Sequence, residues 1–145
     1  MFAALAYTLM QRLREIASVE LDQGQPIIRN PEFAKKISEL EIDLSALEYT
    51  ELRTLARESQ GKGPGPESSI LKIKGSEIQQ TISELLVEVA GPFAVPYLPE
   101  EGIGNEEAGW ESHTAPHYFN YRKVSIYGGS NEIQRGIIAK AVLGL

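Results

Sequence analysis

The sequence of 145 residues contains no cysteine, which excludes disulfide bonds and thiol nucleophiles. Basic residues are in the minority, with 14 lysines and arginines against 20 acidic residues and a net charge of -6. Phosphate contacts need clustered basic side chains, so no nucleic-acid partner is expected. No apolar run approaches the roughly 20 residues that cross a bilayer. We therefore expect no membrane partner and a cytoplasmic location.

Strand-like alternation is also scarce, and helical spacing dominates the chain. A first helix is predicted over residues 2 to 21, with an apolar side formed by Leu5, Leu9, Leu13 and Ile16. A second helix is predicted from Asn30 to about Ser59, because Asn30 can accept hydrogen bonds from the first-turn amides and Pro31 gives up no needed donor. Its apolar residues recur at spacings of four and three: Phe33, Ile37, Leu40, Leu44 and Leu47.

The segment GKGPGP at residues 61 to 66 breaks the helical pattern, and a third helix is predicted over residues 66 to 90. Residues 91 to 115 are predicted to form a loop, and residues 116 to 125 a short helix. The last helix is predicted to start after Gly128 and Gly129 with Ser130 as its N-cap. Its apolar residues are expected to face the interior: Ile133, Ile137, Ile138, Ala141 and Val142. Together these segments predict one all-α domain over residues 1 to 145, an antiparallel up-down four-helix bundle.

The turn at Gly128 and Gly129 is a candidate anion-binding element. The free amides and the dipole of the following helix favour a negative group such as a phosphate, and glycine lets a ligand approach the backbone closely. A simple junction between a loop and a helix is the more frequent meaning of the same pattern.

Other candidate residues have more ordinary interpretations. His113 and His117 have helical spacing, but Pro116 lies between them and no cysteine completes a metal site, so we expect no metal. Glu48 and Glu51 could act as a general base, although carboxylates at the edge of a bundle face are more common. Trp110 and the segment Tyr118-Phe119-Asn120-Tyr121 could stack on a flat ring, with core packing the more frequent use.

The C-terminal segment YGGSNEIQRGIIAKAVLGL resembles the signature that opens the last helix of the acyl-CoA dehydrogenases. Upstream, the segments PEFAKKISELEIDLSALEYTELR, GPESSILKIKGSEIQQ and HYFNYRKVSIYGGSNEIQR are similar to bacterial enzymes of the pimeloyl-CoA dehydrogenase large-subunit type. The resemblance covers nearly the whole chain and is less specific from residue 97 to residue 115. It matches the C-terminal bundle of that family, without the N-terminal helical and middle β-domains.

The resemblance implies an oxidoreductase that uses FAD to convert an acyl-CoA thioester to the 2,3-enoyl-CoA and passes electrons to electron-transfer flavoprotein. It also implies a homo-oligomer, or a hetero-oligomer with a second dehydrogenase subunit. The chain is expected to be part of a longer protein and inactive alone. The alternative from another class is a non-catalytic helical oligomerisation module that binds no flavin.

Residue by residue, the resemblance places Gly129 beside the substrate thioester. It places Ser130, Asn131 and Glu132 against FAD. The segment EVAGP, residues 88 to 92, stands where the family has a Gln-x-x-Gly-Gly sequence that reaches the FAD of a neighbouring subunit. Gly91 keeps one of those glycines, whereas Glu88 replaces the glutamine.

Gly128 occupies the position at which many family members carry the glutamate that removes the α proton. Glycine has no proton-accepting side chain, so no catalytic residue is assigned in this chain. Glu20 and Glu51 are only remote candidates for the base. The resemblance therefore implies a binding surface whose base comes from elsewhere.

Overall fold

A computed structural model describes residues 2–63, 65–95 and 109–144 of the chain. These residues form five α-helices and one two-stranded hairpin, and no described helix is long and apolar enough to cross a membrane. The elements are α1 (Phe2–Val19), β1 (Leu21–Asp22), β2 (Gln25–Pro26), α2 (Pro31–Ser59), α3 (Glu67–Ala90), α4 (Thr114–Tyr121) and α5 (Asn131–Leu143). The predicted all-α class is confirmed.

Polar contacts between consecutive helices show how the bundle runs. As the residue number rises along one helix, the number of its partner falls along the next, which is the signature of antiparallel neighbours. The contacts are Tyr7 with Glu48, Arg14 with Glu41, Lys36 with Glu88, and Arg57 with Glu67. The first three helices therefore run up, down and up.

The predicted start of α2 is confirmed in detail. The Asn30 side-chain oxygen accepts from the backbone N–H of Glu32 at 2.9 Å and from that of Phe33 at 3.4 Å. Pro31 is the first helical residue, where a backbone donor is not needed. The cap thus satisfies two of the first-turn amides that a helix leaves without internal partners.

The core lies between α1, α2 and α3. All five predicted apolar residues of α2 are buried there: Phe33, Ile37, Leu40, Leu44 and Leu47. In α1 the prediction was only partly right: Leu13 is buried as expected, but Leu5 is 53% exposed, and the rest of the buried face is formed by Ala3, Ala6, Met10 and Ala17. Alanines on that face let α1 lie close to its neighbours, which the spacing of the leucines alone did not indicate.

The connections contain short structures that the sequence did not predict. Leu21–Asp22 and Gln25–Pro26 pair as a hairpin around Gln23 and Gly24, both with positive φ, where only a helix break was expected. Gly91–Ala94 and Trp110–His113 form 3₁₀ turns within the predicted loop. Residues 96–108 of that loop lie outside the described residues.

The prediction that the last helix buries its apolar side was wrong. Ile133 is 60%, Ile137 45% and Val142 63% exposed, and Ala141 is exposed as well, whereas Ile138 is partly buried. Helix α5 packs mainly on α3, so a single neighbour covers only one strip of it. The remaining apolar side chains of α5 face outward.

Candidate functional site

The turn before α5 exposes its backbone. Gly128 and Gly129 have φ angles of +66° and +85°, a region that side-chain-bearing residues rarely adopt. No atom lies within 4 Å of the position that a Cβ on Gly128 would take. The turn is held by Gln134, whose side-chain amide donates to the Gly128 carbonyl at 2.7 Å. A ligand can therefore approach Gly128 from the side where a Cβ would stand, whereas its carbonyl is covered by the Gln134 amide.

Ser130 is the N-cap of α5, as predicted. Its hydroxyl accepts from the backbone N–H of Ile133 at 3.4 Å. This contact partly occupies the hydroxyl, and the Glu132 carboxyl accepts from its own backbone N–H, so Asn131 carries the remaining first-turn amide that a helix leaves without an internal partner. The partial positive charge of the helix start then favours a negative group in front of the turn.

Asn131 turns into the protein. Only 8% of its surface is exposed, and its Oδ1 accepts from Lys72 Nζ at 2.8 Å while its Nδ2 donates to Ser76 Oγ at 3.3 Å. Lys72 Nζ also donates to the Ser125 carbonyl at 2.7 Å. The side chain predicted to contact FAD therefore fastens the start of α5 to α3, and its own amide groups are already engaged.

Glu132 points outward from the first turn of α5. The pKa of its carboxyl is lowered by a hydrogen bond from its own backbone N–H, with a further contribution from the Ser130 hydroxyl. Arg135 lies between Glu132, at 3.6 Å, and Glu77 of α3, at 3.5 Å. Glu132 is thus a charged, solvent-facing residue beside the glycine turn.

Gly91 and Glu88 lie at the opposite end of α3. Gly91 is the C-cap of that helix, with φ at +54°, and Glu88 pairs with Lys36 at 2.7 Å. Fifteen residues separate Ser76, which contacts Asn131, from Gly91, a rise of about 22 Å along a helix. One copy of the chain therefore does not bring the two candidate flavin segments together.

The carboxylates considered as a base are engaged elsewhere. Glu48 accepts from the Tyr7 hydroxyl at 3.0 Å, and Glu51 accepts from the backbone N–H of Ala3 at 3.3 Å. Glu20 borders a cleft beside Gly91, at the far end of α3 from the glycine turn. The described residues place none of these three carboxylates at the turn.

The histidines and aromatic residues have other surroundings. His117 stacks on Tyr121 with ring centroids 4.0 Å apart, and the described residues contain no group of three side chains able to hold a metal. Trp110 packs against the core, in line with the packing interpretation, but Phe119 is 70% exposed. Burial lowers the pKa of His117.

The family model for the acyl-CoA dehydrogenase C-terminal domain matches residues 1–143. This chain belongs to that family. It is similar to a chain of the ChsE4-ChsE5 complex from Mycobacterium tuberculosis, at 25% identity and a TM-score of 0.74, and the alignment covers 99% of this chain and 35% of that one. A search of curated proteins gives no match.

Two further solved structures share the fold. Butyryl-CoA dehydrogenase from Megasphaera elsdenii is 17% identical with a TM-score of 0.75, and the FAD complex of PigA is 21% identical with a TM-score of 0.76. The alignments cover 98% and 99% of this chain and 34% of each of those proteins. The chain thus spans about a third of the length of the structures that it matches.

Lys72 is the residue at this site that sequence reasoning missed. A signal for the packing of α3 was nevertheless present, because Ser69, Ser76 and Ser83 recur every seven residues and all three are buried. Such a row of small polar residues marks a helix face against which other segments pack closely. It does not say that a lysine beside the row reaches Asn131, 59 residues away.

Proposed function

We propose that this chain is the C-terminal helical part of an FAD-dependent enzyme that oxidises an acyl-CoA thioester to the 2,3-enoyl-CoA. The observation that carries the proposal is the open glycine turn at the start of α5. It presents open space on one side of the Gly128 backbone, as a flavin or a thioester carbonyl requires. The same proposal includes a closer relationship to the pimeloyl-CoA dehydrogenase large subunit, a role in fatty acid metabolism and a cytoplasmic location.

The residues present would serve binding more than chemistry. Gly129 adds no side chain to a turn that the Gln134 amide already borders, and amides at the start of α5 would stabilise negative charge that develops on a thioester oxygen. Ser130 and Glu132 would border the flavin, whereas Asn131 would act by holding α5 in place. FAD would supply the acceptor for the hydride, and its electrons would leave to electron-transfer flavoprotein.

The group that accepts the α proton of the substrate must belong to a residue other than Gly128. No carboxylate of the described residues lies within 4 Å of the position that a Cβ on residue 128 would take. We propose that a second copy or a second dehydrogenase subunit completes the site. The 22 Å or so along α3 between Ser76 and Gly91 supports this, because the two ends of the helix would then face different flavins.

A non-catalytic oligomerisation module is the second candidate. The exposed apolar side chains of α5, such as Ile133 and Val142, favour it because apolar surface of this kind is commonly covered by another chain. That module would need neither the open turn nor a flavin. The two candidates therefore differ in what happens at residues 128 to 132.

Amide chemical shifts separate the two candidates. We expect FAD and butyryl-CoA, each added to the isotope-labelled chain, to shift the amides of residues 128 to 132 with saturation. Gly129→Glu should abolish these shifts, because the new side chain would fill the turn and displace the Gln134 amide that lies 3.0 Å from the Cβ position. Gly24→Glu, at a similar φ in the hairpin with nothing within 4 Å of its Cβ position, should leave them unchanged. If neither ligand shifts these amides while the chain self-associates, the oligomerisation module is the correct function.

A further inference from the structure

We propose that the cleft between α1, α3 and α4 binds a small carboxylic acid with an apolar body. The cleft has a volume of about 300 Å³, within the size range of small-molecule sites. It lies beside Ser83 and Leu86 of α3, whereas the glycine turn is tied to Lys72 and Ser76 of the same helix. The site is therefore separate from the one considered above and does not depend on the proposed function.

The walls of the cleft are apolar. Leu9 and Ile16 come from α1, Leu86 from α3, and Trp110 from the 3₁₀ turn before α4. All four are partly buried and pack against the core, so they are held in place from behind. An alkyl chain or an aromatic ring would remove the exposed parts of these side chains from water, at about 25 cal/mol for each Å² of apolar surface.

The charge of the cleft points to an acid. Among the described residues, its lining includes Arg12, whose charge is permanent, together with His113 and His117 and no carboxylate. This is unusual in a chain with a net charge of -6, and three other clefts of similar size among the described residues include acidic side chains. Within the described part of the chain, Arg12 is exposed and has no ion-pair partner. A guanidinium above an apolar cleft matches a carboxylate attached to an apolar body.

Trp110 supplies a direct assay, because it is the only tryptophan in the sequence and it lines the cleft. Octanoate titrated into the chain should change the Trp110 emission with saturation. Octanol, which has the same length and no charge, should bind at least tenfold more weakly. A tenfold difference corresponds to about 1.4 kcal/mol, a reasonable value for one charge-assisted hydrogen bond.

Two arginine variants test the assigned charge. Arg12→Gln should weaken octanoate binding about tenfold and leave octanol unchanged, since one ion contact corresponds to about 1.4 kcal/mol. Arg29→Gln removes an exposed arginine that lies outside the cleft, and it should bind octanoate as the parent does. The proposal is overturned if the emission change does not saturate, if octanol binds as well as octanoate, or if Arg12→Gln binds octanoate unchanged.

Discussion

Replacing Lys72 with methionine should loosen α5 from α3. The substitution removes the hydrogen bonds from Lys72 Nζ to Asn131 Oδ1 and to the Ser125 carbonyl, at 2.8 Å and 2.7 Å. Methionine has a similar length but no donor, so the buried oxygen of Asn131 loses its charged partner. Hydrogen bonds to charged groups contribute about 1.5–3 kcal/mol each to stability, and a buried acceptor left without a donor costs a further fraction of that.

Since solvent reaches part of this network, we expect Lys72→Met to lower the free energy of unfolding by about 2–4 kcal/mol. For a domain of this size, the loss corresponds to a fall in Tm of roughly 4–16 °C. Urea unfolding followed by circular dichroism measures the free energy. Lys74→Met is the matched control: Lys74 is exposed on the same helix and its ion pair with nearby Glu77 is on the surface, so we expect a change in the free energy of unfolding within about 0.5 kcal/mol.

Hydrogen exchange gives the local readout. Since α5 has little buried apolar surface, Lys72→Met should lower the protection of the α5 amides more than that of the α2 amides. The double variant Lys72→Met, Asn131→Leu replaces both partners by apolar groups and should be less destabilised than the sum of the two single variants. Equal stability of Lys72→Met and Lys74→Met, with unchanged exchange in α5, would refute this account of how the helix is held.

Three other perturbations have definite expected outcomes. In urea unfolding, Gly128→Ala should lower the free energy of unfolding by about 1 kcal/mol, because φ at residue 128 is +66°. Gly136→Ala, within α5, should raise it by about 0.5–1 kcal/mol, and equal effects of the two variants would contradict this expectation. Burial lowers the pKa of His117 below 6.5, so folding favours the neutral imidazole, and the free energy of unfolding should fall as the pH drops below 6.5. His117→Gln should make the urea midpoint less dependent on pH in this range. Ile133 is 60% exposed, so Ile133→Ser should leave Tm unchanged but weaken any self-association seen by analytical ultracentrifugation. An unchanged dissociation constant would show that this side of α5 is not an interface.

The sequence alone was sufficient for the features that depend on neighbouring residues. Asn30 and Ser130 were recognised as N-caps, and both accept hydrogen bonds from first-turn amides because a short polar side chain before a helix can reach them without tertiary help. The α2 residues from Phe33 to Leu47 were predicted to be buried, since a long stripe on a helix between charged faces has few other uses. The glycine turn and the family resemblance were likewise recognised from residues 127 to 145 alone.

Only the tertiary structure decided which helix faces are covered and which distant side chains contact each other. Periodicity indicates that α5 has an apolar side, but it does not say whether another helix covers it, and Ile133 and Ile137 are in fact exposed. The resemblance placed Asn131 against FAD, which stays a prediction, and only the structure shows that its side chain is bound to Lys72, 59 residues away along the chain. Contacts across such separations depend on how whole helices pack, because no local pattern records which distant side chain arrives. For the same reason, the cleft beside Trp110 exists only once α1, α3 and α4 have come together.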